Sequence, residues 1–368
     1  MGESGVTPSL ILHEALRHPS TIGTLGTRQW NALIRVARAE MLMATLGERA
    51  AGTDVPDKAR LLLDEARAAA RRNHDAARFE VLRMADALRD SGIPVVLMKG
   101  SAYLMALLPP LPGRNIGDLD IMVPRESLAD TERALKGAGW LSVKPRGTYD
   151  DAYYRQWMHE LPPLAHEMRG GVIDLHHTIL PLTARLTPRP ERIFEHAVRP
   201  AALAPGGETD ALPDNIFVMS PPEMLLHSAT HLAYDGDFQG GARNLWDIDR
   251  LVRHFAKAEG FWDELTIAAA AHDLTVPLAR ALRLAEALYE TPSPPSVRGR
   301  GDIVDRLALR KLRGHDEYGQ GAAPGAQFLL FLRGHWLRMP PLMLARHLWT
   351  KWRARRGEGR REAPQNAR

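Results

Sequence analysis

The 368-residue chain contains no cysteine. That excludes disulfides, thiolate metal sites and cysteine nucleophiles, and it fits a cytoplasmic protein. No apolar run reaches the length of a transmembrane helix. The first residues, Met1 to Pro8, lack the basic and apolar stretches of a signal peptide. No Walker A pattern, dinucleotide fingerprint or Gly-x-Ser-x-Gly elbow is present. His227 and His231 lie four apart, as in zinc proteases, but Ser228 follows His227 where those enzymes need glutamate. They are expected to pack under a functional site. The apolar share, 45%, is ordinary for a globular protein with a proper core. The net charge of +4 is uneven. Arg333 to Arg368 hold ten Arg or Lys and two Glu, a balance of +8, so the remainder of the chain stands at −4. The basicity is therefore a C-terminal property.

The informative stretch is Gly117-Asp118-Leu119-Asp120-Ile121-Met122-Val123. On a strand, successive side chains face opposite ways. Asp118 and Asp120 then share one face while Leu119, Ile121 and Val123 enter a core. Two carboxylates held side by side repel unless a cation sits between them. Mg²⁺ suits such a place, because it takes hard oxygen ligands and pairs one or two carboxylates with substrate phosphates. Upstream, the apolar run Val95 to Met98 ends in Lys99-Gly100-Ser101. A glycine at a strand end lets backbone N–H groups approach an anion, and the serine hydroxyl adds a donor. Downstream, Val172, Asp174 and His176 share one face of a strand, with His177 facing the core. Leu164 to Gly171 reads as the first arm of a hairpin with Gly170-Gly171 as its turn. That register sets Glu167 opposite Asp174 as an alternative third carboxylate. Three carboxylates and a Gly-Ser loop on short strands make up a candidate two-metal phosphoryl-transfer site.

Lys99-Gly100-Ser101, Arg114-Asn115-Ile116-Gly117-Asp118-Leu119-Asp120 and Ile173-Asp174-Leu175-His176 together resemble the polymerase-β-like nucleotidyltransferases, in particular an uncharacterised bacterial branch. The resemblance covers roughly residues 80 to 255. It implies an α+β fold: a nucleotidyltransferase core, a small mixed sheet with helices, embedded in a mostly helical chain. It also implies transfer of a nucleoside monophosphate from an NTP to an acceptor, with release of pyrophosphate. Asp118, Asp120 and Asp174 are then the catalytic residues and ligands of two Mg²⁺ ions. Lys99, Gly100, Ser101 and Arg114 are then expected to bind the nucleotide, and His176, on the face of Asp174, to contact the acceptor or a phosphate. The chain departs from the superfamily in two places. Lys99 stands where an apolar residue is usual, and the gap from Ser101 to Asp118 is long, so Pro109 to Gly117 must fold back.

The expected organisation is an N-terminal helical region over 1–91, the core over 92–215 and a helical domain over 216–291 that completes the cleft. C-terminal helices over 292–356 and a disordered basic tail over 357–368 follow. Trp30, Leu33, Ile34, Ala37 and Met41 mark one helical face. Pro56 to Ser91 reads as two helices, and Pro124 to Gly139 as another. Tyr149 to Pro163 reads as a loop or short helix, and Pro181 to Pro213 and Pro292 to Gly301 as connectors. Ser220-Pro221-Pro222-Glu223 opens a further helix with a capping box. Asp247-Ile248-Asp249 copies the Asp-x-Asp pattern but carries helical spacing, which points its carboxylates apart and rules out a shared metal. The acceptor is expected to be a small molecule, peptide or protein rather than a long nucleic acid, since the core is not basic. Trp336, Leu337, Leu342, Leu344, Leu348, Trp349 and Trp352 among arginines give weak contact with membrane surfaces or nucleic acid as a second expectation. Two other functions compete with catalysis: a nucleotide-binding regulator or scaffold without turnover, and an interaction protein acting through the C-terminal segment.

Overall fold

The computed structural model describes residues 7–204, 212–234, 238 and 240–340. Six short strands form one mixed sheet: β1 Val95–Leu97, β2 Leu119–Met122, β3 Trp140–Ser142, β4 Leu164–His166, β5 Val172–His176 and β6 Ile216–Val218. Their spatial order is β3-β4-β5-β2-β1-β6. β2 and β5 run parallel at the centre, with Asp120 beside Asp174 and Met122 beside His176. β1 is antiparallel to β2 and parallel to β6. Helices make up most of the rest, so the α+β class expected from the sequence is the one observed. β3 and β6 are not foreseen. Each has only three residues, too few to show an alternating pattern.

Most of the apolar side chains of sheet and helices join one continuous core. In β2 both faces are buried: Leu119 and Ile121 on one side, Asp120 and Met122 on the other. A helix over Asp57–Leu88 runs unbroken where two helices are expected. No glycine or proline interrupts those residues, and Leu63, Ala70, Ala77, Val81 and Met84 keep one buried stripe. A 3-10 turn, Arg89–Ser91, follows it and ends at Gly92, whose φ of 66° only glycine adopts at little cost. Tyr149–Trp157 is a helix, as are short pieces of the expected connectors, Pro190–His196, Pro200–Leu203 and Pro295–Arg298. Trp30, Leu33, Ile34 and Ala37 are buried as expected, whereas Met41 is exposed, beyond the end of the helix Thr27–Ala39. At Pro221–Tyr234 the Ser220 hydroxyl donates to the Glu223 carboxylate at 3.0 Å.

The hairpin departs from expectation. Leu164 pairs with Ile173 and Ala165 with Val172, so residues 167–171 form the turn. Gly170 alone of the two glycines adopts a left-handed φ, 74°. Glu167 therefore sits exposed in the turn, remote in register from Asp174, and is not a third carboxylate. C-terminal helices span Ile303–Leu312 and Pro324–Arg338. The expected continuation through Leu342 to Trp352 and the tail from Gly357 lie outside the described residues.

Candidate active site

Asp118 ends the loop before β2, Asp120 lies within β2 and Asp174 lies beside it in β5. The structure thus brings together the three carboxylates singled out from the sequence. Asp120 is only 4% exposed, and Lys99 Nζ donates to its Oδ1 at 2.7 Å. His176 Nε2 lies 3.1 Å from the same oxygen. Burial opposes the charge on Asp120, but Lys99 and His176 outweigh it and hold its pKa far below the usual carboxylate range. Burial would also discharge Lys99. The charge and hydrogen bond of Asp120, helped by Asp118 and Glu160, outweigh it and raise the Lys99 pKa.

Asp174 shows the opposite balance. Burial first, then the charges of Glu160, Asp120 and Asp118, push its pKa up from 3.8 to about 7. Its Oδ1 is buried without a hydrogen-bond partner. Asp118 is also raised, by burial and then by Asp120. A buried, unpaired carboxylate oxygen facing other carboxylates is what a bound cation would satisfy. The donor set Asp118, Asp120 and Asp174 therefore fits hard divalent ions.

This imbalance has a pH consequence. The folded Asp174 keeps a proton that the unfolded chain releases, so its contribution to stability is present below its unfolded pKa, near 3.8, and is lost as pH rises to about 7. His227 and His231 act in the other direction, because burial first and Lys99 next lower their pKa values. If the three carboxylates hold Mg²⁺, the rise it produces in the thermal midpoint isolates them from these histidines. It should be larger at about pH 8 than at about pH 5.5, since the ion must displace the Asp174 proton at the lower pH. Scanning calorimetry with and without Mg²⁺ checks this, and an equal rise at both pH values would contradict it.

The tripeptide before the first acid is placed differently from expectation. Lys99-Gly100-Ser101 forms the first turn of a short helix, Lys99–Met105, after β1. Lys99, not Gly100, has the left-handed φ, 46°. Such a conformation in a non-glycine residue is held by its surroundings, here by the bond to Asp120. Gly100 is required by close approach: an added Cβ would lie 2.9 Å from Arg114 Nη1 and 3.1 Å from Ile116. Ser101 is 1% exposed, and its hydroxyl donates to the Met98 carbonyl at 2.7 Å, with the Asp120 carbonyl at 3.2 Å. It fastens the turn to β2, and no free hydroxyl faces a ligand.

Arg114 is likewise not a solvated loop cation. Its Nε donates to Asp247 Oδ2 at 2.7 Å, and its guanidinium lies over the Tyr103 ring at 5.3 Å. Asp249, two residues on, turns away to Arg253 and Thr291, as helical spacing requires. The long loop does fold back. Asn73 exchanges two bonds with the Ile116 backbone, at 2.7 and 2.9 Å, and His74 Nε2 meets the Arg114 carbonyl at 2.7 Å. Gly113 closes the bend at φ 76°, where a Cβ would strike the Thr45 backbone at 2.3 Å. Asn73→Ala should leave the buried Ile116 N–H unpaired and cost about 1–3 kcal/mol in urea unfolding. A cost near zero would contradict the anchoring role.

These residues border a cavity of about 220 Å³. Lys99, Gly100, Arg114, Asp118 and Asp120 line one side. Ser228 and His231 from the helix Pro221–Tyr234, and Arg243, Asn244 and Asp247 from the helix Gly241–Phe255, line the other. His231 thus reaches the cavity, while His227 is fully packed beside it.

Two residues at the site escaped the sequence reading. Glu160 pairs across an isolated bridge with His176, and its Oε2 lies 3.3 Å from His176 Nε2. His159 Nε2 lies 3.6 Å from the same oxygen. The available signal was Leu161-Pro162-Pro163, which holds the preceding residues extended beside the hairpin.

Among the described residues no helix is long and apolar enough to cross a membrane. Neither the curated proteins nor the solved structures yield a match to this chain. The family model described as "Uncharacterised nucleotidyltransferase" matches residues 26–290. That span is well over half of the chain and takes in the sheet, the three carboxylates and both cavity walls, so the protein belongs to this nucleotidyltransferase family.

Proposed function

We propose that the protein transfers a nucleoside monophosphate from an NTP to an acceptor hydroxyl or other nucleophile, releasing pyrophosphate, with Mg²⁺ held by Asp118, Asp120 and Asp174. The observation that carries this reading is Asp120 set in register beside Asp174, whose buried Oδ1 has no partner. Bound Mg²⁺ would neutralise the triphosphate, stabilise the leaving pyrophosphate and acidify the acceptor.

The protein's own groups have separable tasks. Lys99 sets the position of the Asp120 carboxylate through its bond to Oδ1 and keeps a positive charge beside the phosphate end of the cavity. Gly100 lets the guanidinium of Arg114 come close beneath the same floor. Arg114 supplies positive potential from a fixed place, its direction set by Asp247. His176 stands between Asp120 and Glu160, on the Asp174 side where the acceptor would approach. The helices Pro221–Tyr234 and Gly241–Phe255 wall the side of the cavity opposite the carboxylates.

Radiolabelled or mass-resolved transfer from each NTP to small-molecule, peptide and protein acceptor pools tests this reading. Appearance of an NMP adduct with equimolar pyrophosphate supports it. Hydrolysis to inorganic phosphate would point to another phosphoryl reaction. Mg²⁺–NTP binding without any product would favour the regulator or scaffold.

One observation favours an added interaction role. The helix Pro324–Arg338 buries Ala326, Leu330 and Gly334 but exposes Phe328, Leu329, Phe331, Leu332 and Trp336 on its other face. A helix apolar on both faces has a surface left to cover. Its sequence runs on into the basic C-terminal stretch, which suits anionic membranes or nucleic acid. Sedimentation with anionic and neutral vesicles, at low and high salt, tests it. Salt-sensitive binding to the anionic vesicles alone supports the membrane reading.

A further inference from the structure

We propose that His159, Glu160 and His176 bind a divalent transition-metal ion of the Zn²⁺ class, separate from the Mg²⁺ assigned to Asp118, Asp120 and Asp174. The proposal does not need the transferase reading to hold.

The geometry carries it. Two imidazoles and a carboxylate present ligand atoms that all lie within 4.8 Å of one another, and Asp120, Asp174 and His176 do the same. His176 Nε2 is 3.1 Å from Asp120 Oδ1 and 3.3 Å from Glu160 Oε2, and His159 Nε2 is 3.6 Å from Glu160 Oε2. Ligands at about 2.1 Å from one ion stand about 3.0 Å apart at right angles and about 3.4 Å apart at the tetrahedral angle. The separations from Glu160 Oε2 to the two imidazole nitrogens match one shared ion after shifts of a few tenths of an ångström.

The protons do not satisfy this cluster unaided. His176 is 2% exposed, and a single proton on Nε2 can serve only one of the two carboxylates it faces. Its Nδ1, and that of His159, are buried without any hydrogen-bond partner. Ligation through Nε2 would leave the proton of each ring on Nδ1. Glu160 makes no ion pair with lysine or arginine among the described contacts. Its partners within 4.0 Å are the two imidazoles. Across the whole centre four carboxylates, Asp118, Asp120, Asp174 and Glu160, surround the single ammonium of Lys99.

The donor types decide which ion. Imidazole nitrogen with carboxylate oxygen suits Zn²⁺, Co²⁺ and related ions, whereas Mg²⁺ prefers oxygen and water. Two histidines and a glutamate form a three-ligand set of the kind zinc accepts while keeping a further position open. The same centre then holds a nitrogen-rich place on the Glu160 side and an oxygen-only place on the Asp118 side.

The test uses the metal-stripped full chain titrated with Co²⁺, whose visible absorption reports nitrogen and oxygen ligation, followed by competition with Zn²⁺ and Mg²⁺. One Co²⁺ per chain, displaced by equimolar Zn²⁺ but retained in excess Mg²⁺, is the expected result. His159→Ala and the isosteric Glu160→Gln should each weaken Co²⁺ binding at least about 100-fold. Asp118→Asn should keep the Co²⁺ site while losing Mg²⁺-dependent nucleotide binding, which separates this proposal from the transferase reading. Absence of stoichiometric Co²⁺ uptake by the unsubstituted chain would overturn the proposal, as would equal displacement by Mg²⁺ or undiminished binding in both variants.

Discussion

Asp120→Asn should abolish nucleotidyl transfer, by at least about 1,000-fold in kcat/KM, equivalent to about 4 kcal/mol of transition-state stabilisation. The amide is nearly the size of the carboxylate, so core packing around Ile121 and Met122 is kept. The negative charge is lost at the point where Lys99, His176 and the proposed Mg²⁺ converge. The change also frees Lys99, which stands in a left-handed conformation beside its missing partner. Asp118→Asn should lose transfer to a similar degree with less effect on stability, because Asp118 keeps solvent contact that Asp120 lacks and makes no ion pair comparable to that of Asp120 with Lys99. Steady-state transfer assays, with circular dichroism as the fold control, check both. Full activity in either folded variant would remove Asp118 and Asp120 from the reaction.

The second large effect falls on stability. Arg114→Ala should destabilise the protein by about 3–5 kcal/mol, because it leaves the Asp247 carboxylate buried and unpaired. Burial already raises the Asp247 pKa, against the pull of Arg114, and its Oδ1 has no other partner. Arg114→Lys should recover only part of the loss, since an ammonium cannot reproduce the guanidinium lying over Tyr103 while donating to Asp247. Arg114→Ala combined with Asp247→Ala should be more stable than Arg114→Ala alone. Urea unfolding of the set measures the coupling, and strict additivity of the two single changes would show that the pair does not interact.

How far the site could be read in the sequence followed the range of the interactions involved. Asp118, Asp120 and Asp174 were legible because strand alternation is local, and Leu119, Ile121, Ile173 and Leu175 spell out the buried face. The helical spacing around Leu245, Ile248, Leu251 and Val252 likewise separated Asp247 from Asp249 correctly. What the sequence did not show depended on partners distant in the chain. Ser101 and Arg114 have the composition of phosphate ligands, yet one is tied to the β2 backbone and the other to a helix 133 positions away. The hairpin turn was misread because Gly170-Gly171 is a plausible two-residue turn by composition. The observed register instead follows from Leu164 and Ile173 meeting in the core, and it moves Glu167 out to solvent. Glu160 reaches the centre through an isolated bridge to His176, a contact that no local pattern announces. The unbroken helix over Asp57–Leu88 shows the reverse case. Its alanines carry a weak apolar stripe, but continuous helix propensity and the bonds from Asn73 and His74 to the folded-back loop keep it whole.

Isothermal titration of the full chain with non-hydrolysable NTP analogues, with and without Mg²⁺, beside the Asp118→Asn/Asp120→Asn double variant, is the most direct test of a catalytic nucleotide site. The predicted result is saturable binding of at least one analogue that requires Mg²⁺ and disappears in the folded double variant. Binding of no analogue in the presence of Mg²⁺ and acceptor pools, or binding that the double variant retains undiminished, would contradict the assignment of this cleft to nucleotidyl transfer.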